Sequence, residues 1–472
     1  MTRLFLLLCS FALLPASAQQ LRFPSIISDH MVLQQQTDVL LWGRAAPGVR
    51  ITVAPSWCRE TFSAAADPRG RWELTVPTPA AGGPFRIEVT AGQESRTLHD
   101  VLVGEVWLCG GQSNMDVSFR GLQNQPVANA ADEIFDSNYP ALRLFRVKRD
   151  YSLAPQEDCR GAWAVSSSES AETFSAVGFL FGRLLHTSER VPVGMILCAW
   201  GGSKARAWMS RDDVLRFAGI PIPDTTDLHH ANVTPTALYN AMLLPIAGYT
   251  IRGCLFYQGE ADVADPAGYR AQFPALVREW RRLWRREFPF FYVQLAPYGY
   301  PDLGWTPRGR EAARFREVQQ QCLADIPRSR MAATSDIGAP HTIHPDDKQT
   351  LARRLFYLAA ADCYGRKGFE PSSPAYCGME IHGDSVALRF EHAPYGISSR
   401  GRPITGFEIA GADRTFHPAR AWIRGRSTVW VRSDRVPEPV AVRYCFTNYY
   451  RANLYNNYGV VALPFRTDDW ND

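Results

Sequence analysis

The 472-residue chain contains no long run of charge of one sign: 51 Lys and Arg stand against 47 Asp and Glu, leaving a formal +4 spread along the sequence. Nucleic-acid binding therefore has no electrostatic footprint here. Long apolar runs are equally scarce. The one that stands out, Leu4 to Leu14, falls short of the roughly 20 residues a spanning helix needs, and with no second run a membrane span is not expected. Arg3 ahead of that run, and Pro15 with the small residues Ala16, Ser17 and Ala18 behind it, give it the form of a secretory signal peptide over residues 1–18. An exported protein, periplasmic or extracellular, is the expectation. No CxxC pair and no Cys/His cluster occurs, so neither a metal nor another cofactor is indicated. Of the 10 cysteines Cys9 lies in the leader, and the odd remainder is scattered through apolar runs. Buried free thiols, with room for one or two disulfides, are the plainest reading. No internal repeat of fixed period is present either.

What the sequence does have is length and aromatic content. A chain of this size with 46% hydrophobic residues exceeds one ordinary core, so two or three domains are expected. Aromatics at 12% suit clefts that meet flat amphipathic ligands such as sugar rings. Residues 19–103 hold short Val-, Ile- and Thr-rich runs broken by Gly and Pro, such as GRWELTVP and FRIEVTAG; this predicts a small antiparallel β-sandwich-like domain. From Gly104 to about Gly368 apolar runs of strand length, VWLC, VGMILCAW, RGCLFYQ and PFFYVQLA, alternate with helical patterns. Among these Tyr269, Phe273, Leu276, Val277, Trp280, Leu283 and Trp284 recur at three- and four-residue spacing. Such alternation predicts an α/β domain with a mostly parallel sheet covered on both faces, and ligands beyond the carboxyl ends of its strands. Residues 369–472 return to β texture and are read as a C-terminal β-rich module.

Four segments carry candidate chemistry. In EVWLCGGQSNMD, Ser113 follows a strand through two glycines and precedes a predicted helix, a position that frees its hydroxyl and sets it near helix amides able to hold an oxyanion. The bland alternative is an ordinary turn with Ser113 as N-cap. The segment lacks G-x-S-x-G, which argues against the usual α/β-hydrolase elbow. VGMILCAWGGSKARAW puts Gly201 and Gly202 at a strand end, where backbone amides stand open. CLFYQGEAD puts Gln258 and Glu260 at another, and SDIGAPHTIHPDDKQTLARRL sets His344 just before Pro345 and a helix.

GQSNM, WGGS, YQGE and IHP, in this order, resemble the blocks of the SGNH-hydrolase superfamily, and within it the sialate O-acetylesterase family of carbohydrate esterases. The likeness extends to the opening FPSIISDHMVLQQ and the closing GFEIAGAD, PVAVRY and NLYN. It implies a flavodoxin-like doubly wound sheet and hydrolysis of O-acetyl esters on sugars, with Ser113 as nucleophile and His344 as general base. Ser113 and Gly202 backbone amides and the Gln258 side chain would form the oxyanion hole, Gln258 standing where the superfamily has Asn. For the acid that orients the histidine, the superfamily position three residues earlier is His341, so the template fails. Glu260 is the first alternative, through its QGE resemblance to acetylxylan esterases; Asp336 is the second, and a Ser-His dyad supported by a backbone carbonyl the third.

Asn114 and Asp116 are expected to brace the turn, with Asn114 also able to face substrate. Arg206 is read as a surface charge or salt-bridge partner, or as a clamp for a substrate carboxylate. His229 and His230 read as solvated loop residues. The expected partner is an O-acetylated glycan, with acetylated sialic acid, xylan and xyloglucan all open as substrates. A carbohydrate-binding protein on a degenerate hydrolase scaffold is the rival class.

Overall fold

A computed structural model describes residues 20–470. The expected signal peptide, residues 1–18, lies outside the described residues. Among those described, no helix is long and apolar enough to cross a membrane.

The region up to residue 93 is antiparallel β apart from Val32–Gln34, which pairs in parallel with residues 102–104. Asp38–Arg44 pairs antiparallel with Arg71–Pro77, and both strands alternate buried and more exposed positions, with Val39, Leu41, Trp72, Leu74 and Val76 inward. Arg50–Pro55 pairs with Phe62–Ala65 and with Gly82–Ala91, burying Ile51, Val53, Ile87 and Val89. Period-two alternation with one face buried is what fixes such a register.

The central sheet is built from β1 (Glu94–Gly111), β2 (Leu142–Arg146), β3 (Trp163–Val165), β4 (Val193–Ala199), β5 (Gly253–Tyr257), β6 (Phe290–Val293) and β7 (Ser329–Ala332). Their spatial order is β7-β6-β5-β1-β4-β2-β3, parallel throughout except for the antiparallel edge strand β3. Strand β1 is 18 residues long. Its first half pairs with Gly82–Ala91 and its second half with β4 and β5. One strand thus crosses residues 103 and 104, where composition changes.

Five contiguous parallel strands, β4-β1-β5-β6-β7, follow the 2-1-3-4-5 order of a flavodoxin-like sheet when numbered along the chain. β2 is a further parallel strand on the far side of β4, and β3 closes that edge. All seven residues of β4 are buried, so it belongs between two neighbours. β2 carries Arg143 and Arg146 and is accommodated farther out.

Helices cover both faces. On one, Trp107 of β1 packs against Phe181 of α1 (Ala176–Glu189) and Phe291 of β6, and Phe181 meets Phe356 of α4 (Lys348–Tyr364). On the other, Phe273 and Trp280 of α2 (Pro266–Leu283) pack on Phe256 and Phe290, and α3 (Glu311–Gln321) lies beside α2. Each buried aromatic of this kind contributes roughly 2–3 kcal/mol by removal from water. The helix ends match their chemistry. Asp265 caps α2 ahead of Pro266, Asp347 caps α4 by accepting from Thr350 N–H at 2.8 Å, and Gly365 ends α4 in the left-handed conformation.

Beyond α4 the chain forms antiparallel sheets. Ala375–His382, Ser385–Glu391, Thr428–Arg432 and Arg420–Arg424 make one, and His417–Pro418, Phe407–Ala410, Ala441–Tyr444 and Phe465–Arg466 another. The nine cysteines of the described residues are all free thiols, most of them buried, which leaves no disulfide among them.

Candidate active site

The switch point of the sheet falls at β1, flanked by β4 and β5. Ser113 follows β1, Gly201 and Gly202 follow β4, and Gln258 follows β5. Three adjacent strands therefore deliver their loops to one crevice, where ligands of open α/β sheets bind.

Gly111 makes the approach to Ser113 possible. Its φ is +131°, and a Cβ there would stand 2.1 Å from the Tyr257 carbonyl oxygen, so only glycine fits. The following helix is one turn, Ser113–Asp116, whose N-cap is Gln112. Ser113 is thus not a cap, and its hydroxyl is engaged elsewhere: Oγ lies 2.8 Å from His344 Nε2.

His344 sits in the loop between β7 and α4. Its Nδ1 lies 2.6 Å from Gln125 Oε1, which also accepts from Thr342 Oγ1 at 2.6 Å. Gln125 is the partner that sequence reasoning missed. It comes from an irregular loop 219 residues away, and glutamine is not a residue type one seeks beside a catalytic imidazole. An acceptor at Nδ1 sets the tautomer that leaves Nε2 free to accept the serine proton. Being neutral, it does little to stabilise the protonated ring. Burial, with a lesser contribution from the Lys348 ammonium, holds the His344 pKa down at about 4, so the imidazole is neutral at pH 7.

Neither proposed acid meets the histidine. Glu260 is buried and accepts from Asn114 Nδ2 at 2.6 Å. Asn114 Nδ2 also donates to the Ile343 carbonyl at 3.0 Å, and its Oδ1 accepts from Lys348 Nζ at 2.8 Å. Asn114 is fully buried and occupied on every side, so it braces the Ser113 turn against the His344 loop and has no contact left for substrate. Burial pushes the Glu260 carboxyl up to about 7 and the Lys348 ammonium down to about 8. Asp336 forms a two-point ion pair with Arg354, at 2.8 and 2.7 Å. Asp116 accepts from Arg146 and Arg149 at 2.7 and 2.5 Å.

Gln258 also departs from its expected role. Gly259, with φ +144°, turns the chain out of β5, so Gln258 and Glu260 diverge. The Gln258 amide donates to the Ser203 carbonyl at 3.0 Å and to Asp262 Oδ2 at 2.6 Å. Both its hydrogens are spent within the protein, one on the Ser203 carbonyl and one on the half-buried Asp262 carboxylate.

Gly202 does lie at the crevice. Its φ is +68°, a Cβ on Gly201 would stand 3.4 Å from Ser113 Cβ, and one on Gly202 would stand 2.9 Å from Asn232 Nδ2. Asn232 Nδ2 donates to the Gly201 carbonyl at 3.0 Å and so has a second hydrogen to give. Among the described residues neither the Ser113 nor the Gly202 N–H donates to another group. Arg206 donates from Nε to the Val233 carbonyl at 3.2 Å and braces the loop. His229 and His230 are exposed, His230 beside Asp227, and His341 is exposed too.

A serine hydroxyl bonded to a neutral imidazole, at the switch point of a wound sheet and beside unengaged backbone amides, is an arrangement able to carry out acyl transfer from an ester. The comparisons narrow it. Residues 103–355 match the model of the family described as carbohydrate esterase, sialic acid-specific acetylesterase. The chain is 30% identical to the sialate O-acetylesterase of Mus musculus over 521 residues, covering 94% of this chain and 93% of that one. It is 32% identical to the Homo sapiens sialate O-acetylesterase over 414 residues, 78% of this chain and 76% of that one. A solved carbohydrate acetylesterase from Xanthomonas citri superposes with a TM-score of 0.86 at 34% identity, over 96% of this chain and 100% of that one. The chain belongs to the sialic acid-specific acetylesterase family of carbohydrate esterases, and it is an esterase.

Proposed function

We propose that the protein removes O-acetyl groups from sugars through Ser113 and His344 and an acetyl-enzyme intermediate. The observation that carries this reading is the 2.8 Å contact between Ser113 Oγ and His344 Nε2. Oγ attacks the acetyl carbonyl as Nε2 takes its proton, and the Oγ–C bond forms. The tetrahedral intermediate then expels the sugar oxygen, which leaves with that proton as a free hydroxyl. Water, deprotonated in turn by His344, attacks the acetyl-serine; acetate departs and the proton returns to Oγ. Developing negative charge is received by the N–H groups of Ser113 and Gly202 and by the spare Asn232 Nδ2 hydrogen, which takes the place expected for Gln258. By analogy with measured oxyanion holes each such donor lowers the barrier by roughly 3 kcal/mol. Gln125 orients the ring, so the working unit is a serine-histidine pair with a neutral amide behind it, with Glu260 and Asp336 outside it.

Acetylated sialic acid is the first substrate to try, from the names of the relatives, with acetylated xylan or xyloglucan as the second reading from the carbohydrate acetylesterase likeness. Export through the residue 1–18 leader belongs to the same reading. Acetate release from O-acetylated sialic acid and from acetylated xylan, each blanked with Ser113→Ala, tests it. Release abolished by the substitution is expected. Turnover retained by Ser113→Ala removes Ser113 as nucleophile, and silence of the wild type on both substrates and on a small aryl acetate favours a binding protein.

A further inference from the structure

A second recess, of about 520 Å³, lies where α4 meets the C-terminal sheets. Its floor holds the Asp336–Arg354 ion pair, and its walls carry Arg353 from α4, Arg400 and Arg402 from one C-terminal loop and Arg451 from another. Five guanidinium groups thus share the space with two carboxylates, Asp336 and Asp347. Both carboxylates are already engaged, Asp336 by Arg354 and Asp347 by the Thr350 N–H. Among the described residues the side chains of Arg353, Arg400, Arg402 and Arg451 form no ion pair. Like charges gathered in one concavity repel each other and focus a positive potential into it. That cost is recovered only when an anion enters.

The remaining lining says which anion. Arg400 lies over the ring of Tyr455, with 4.1 Å from its central carbon to the ring centroid, and Tyr357 and Tyr458 offer further partly exposed rings. Planar guanidinium forks fit a carboxylate, and tyrosine faces fit the apolar face of a pyranose. The loop that carries His344 also lines this recess, through Asp336, Ile337 and Asp347, so a glycan held there runs beside the loop of the candidate catalytic histidine.

We infer that the seam between α4 and the C-terminal sheets is a binding site for a carboxylate-bearing sugar residue of the glycan, a uronate or a sialate, separate from the Ser113 crevice. The choice of a sugar as the anion's carrier rests on the proposed acetylesterase function; the anion site itself rests on the arginines.

The test is calorimetric binding to full-length Ser113→Ala protein, which needs no turnover. The probes are a glucuronate-substituted xylo-oligosaccharide, N-acetylneuraminic acid, the matching neutral xylo-oligosaccharide and inorganic phosphate. At least one acidic sugar is expected to bind about tenfold more tightly than the neutral one, and to weaken as salt rises to about 0.15 M. Adding Arg400→Ala, Arg402→Ala and Arg451→Ala should erase that preference. The same three substitutions in the protein with Ser113 intact should leave hydrolysis of a small aryl acetate unchanged. The single exposed substitution Arg402→Gln gives the same reading with a smaller loss, should the triple variant fold poorly. Equal binding of acidic and neutral sugars, or a preference that survives the arginine substitutions, overturns the inference. Phosphate binding as tightly as the sugars overturns the sugar as ligand. Acidic-sugar binding without any acetate release by the wild type would leave this site standing and refute the catalytic reading, so the two failures are distinct.

Discussion

Gln125→Glu places a carboxylate where a neutral amide now faces His344 Nδ1 at 2.6 Å, with little change in shape. Two unit charges about 4 Å apart attract by roughly 4 kcal/mol at an effective dielectric near 20, which corresponds to about 3 pKa units. Gln125 is only partly buried, so solvent screening reduces this to about 1–2 units. The His344 pKa, held at about 4 by burial, should then rise to roughly 5–6. The assay is the pH profile of kcat/KM on a small aryl acetate, together with the NMR titration of the His344 ring in the Ser113→Ala background. In the wild type the acid limb should lie near pH 4, and in Gln125→Glu it should move up by the same amount as the ring titration.

Stability changes in step. A histidine whose folded pKa lies below its unfolded value costs stability as pH falls from about 6.5 toward 4, because the unfolded chain binds the proton first. The whole of that loss is below about 3 kcal/mol, since the ring is partly exposed, and Gln125→Glu should diminish it. A folded Gln125→Glu protein whose acid limb and ring titration both stay near pH 4 would refute the placement of Gln125 behind the imidazole.

Other substitutions separate the buried polar groups. Glu260→Gln preserves an acceptor for Asn114 and should cost no more than about tenfold in kcat, against several orders of magnitude for His344→Ala; equal losses measured side by side would make Glu260 part of the catalytic unit. Asp336→Asn leaves Arg354 unpaired where its side chain is 7% exposed and should cost about 3 kcal/mol in chemical denaturation, while the folded enzyme keeps its kcat. A kcat collapse without loss of stability would restore Asp336 as the orienting acid. Gly111→Ala drives a Cβ into the Tyr257 carbonyl at 2.1 Å and should lower stability by roughly 3 kcal/mol or more; a soluble variant with unchanged melting would contradict the geometry of the turn.

Much of the scaffold was readable in advance because its patterns are local. Buried runs such as VGMILCA and the spacing from Tyr269 to Trp284 each report a periodicity within one element, and β4 and α2 formed there. Ser113 and His344 were legible as positions at a strand end or in the loop that follows one, and the structure brings them within hydrogen-bond distance. The added strand β2 was not legible, since it joins the far side of β4 through packing that involves the whole sheet. Nor were the partners of the polar side chains. Glu260 and Gln258 look alike as residues after a strand, and only the turn at Gly259 sends one to Asn114 and the other to Asp262. Gln125 carries no motif at all; its role exists only because a distant loop arrives at Nδ1.

The continuity of β1 bears on how the enzyme can be cut. A fragment beginning near residue 104 would retain every residue of the crevice yet lose half of the strand on which Ser113 is mounted, and with it the Gly82–Ala91 pairing that anchors that half. Shortening from the amino end therefore shears the central strand at mid-length, and grafting this esterase core onto another leader requires bringing the preceding sheet with it. In engineering terms the amino-terminal sheet is the mounting of Ser113 and cannot be treated as a detachable accessory.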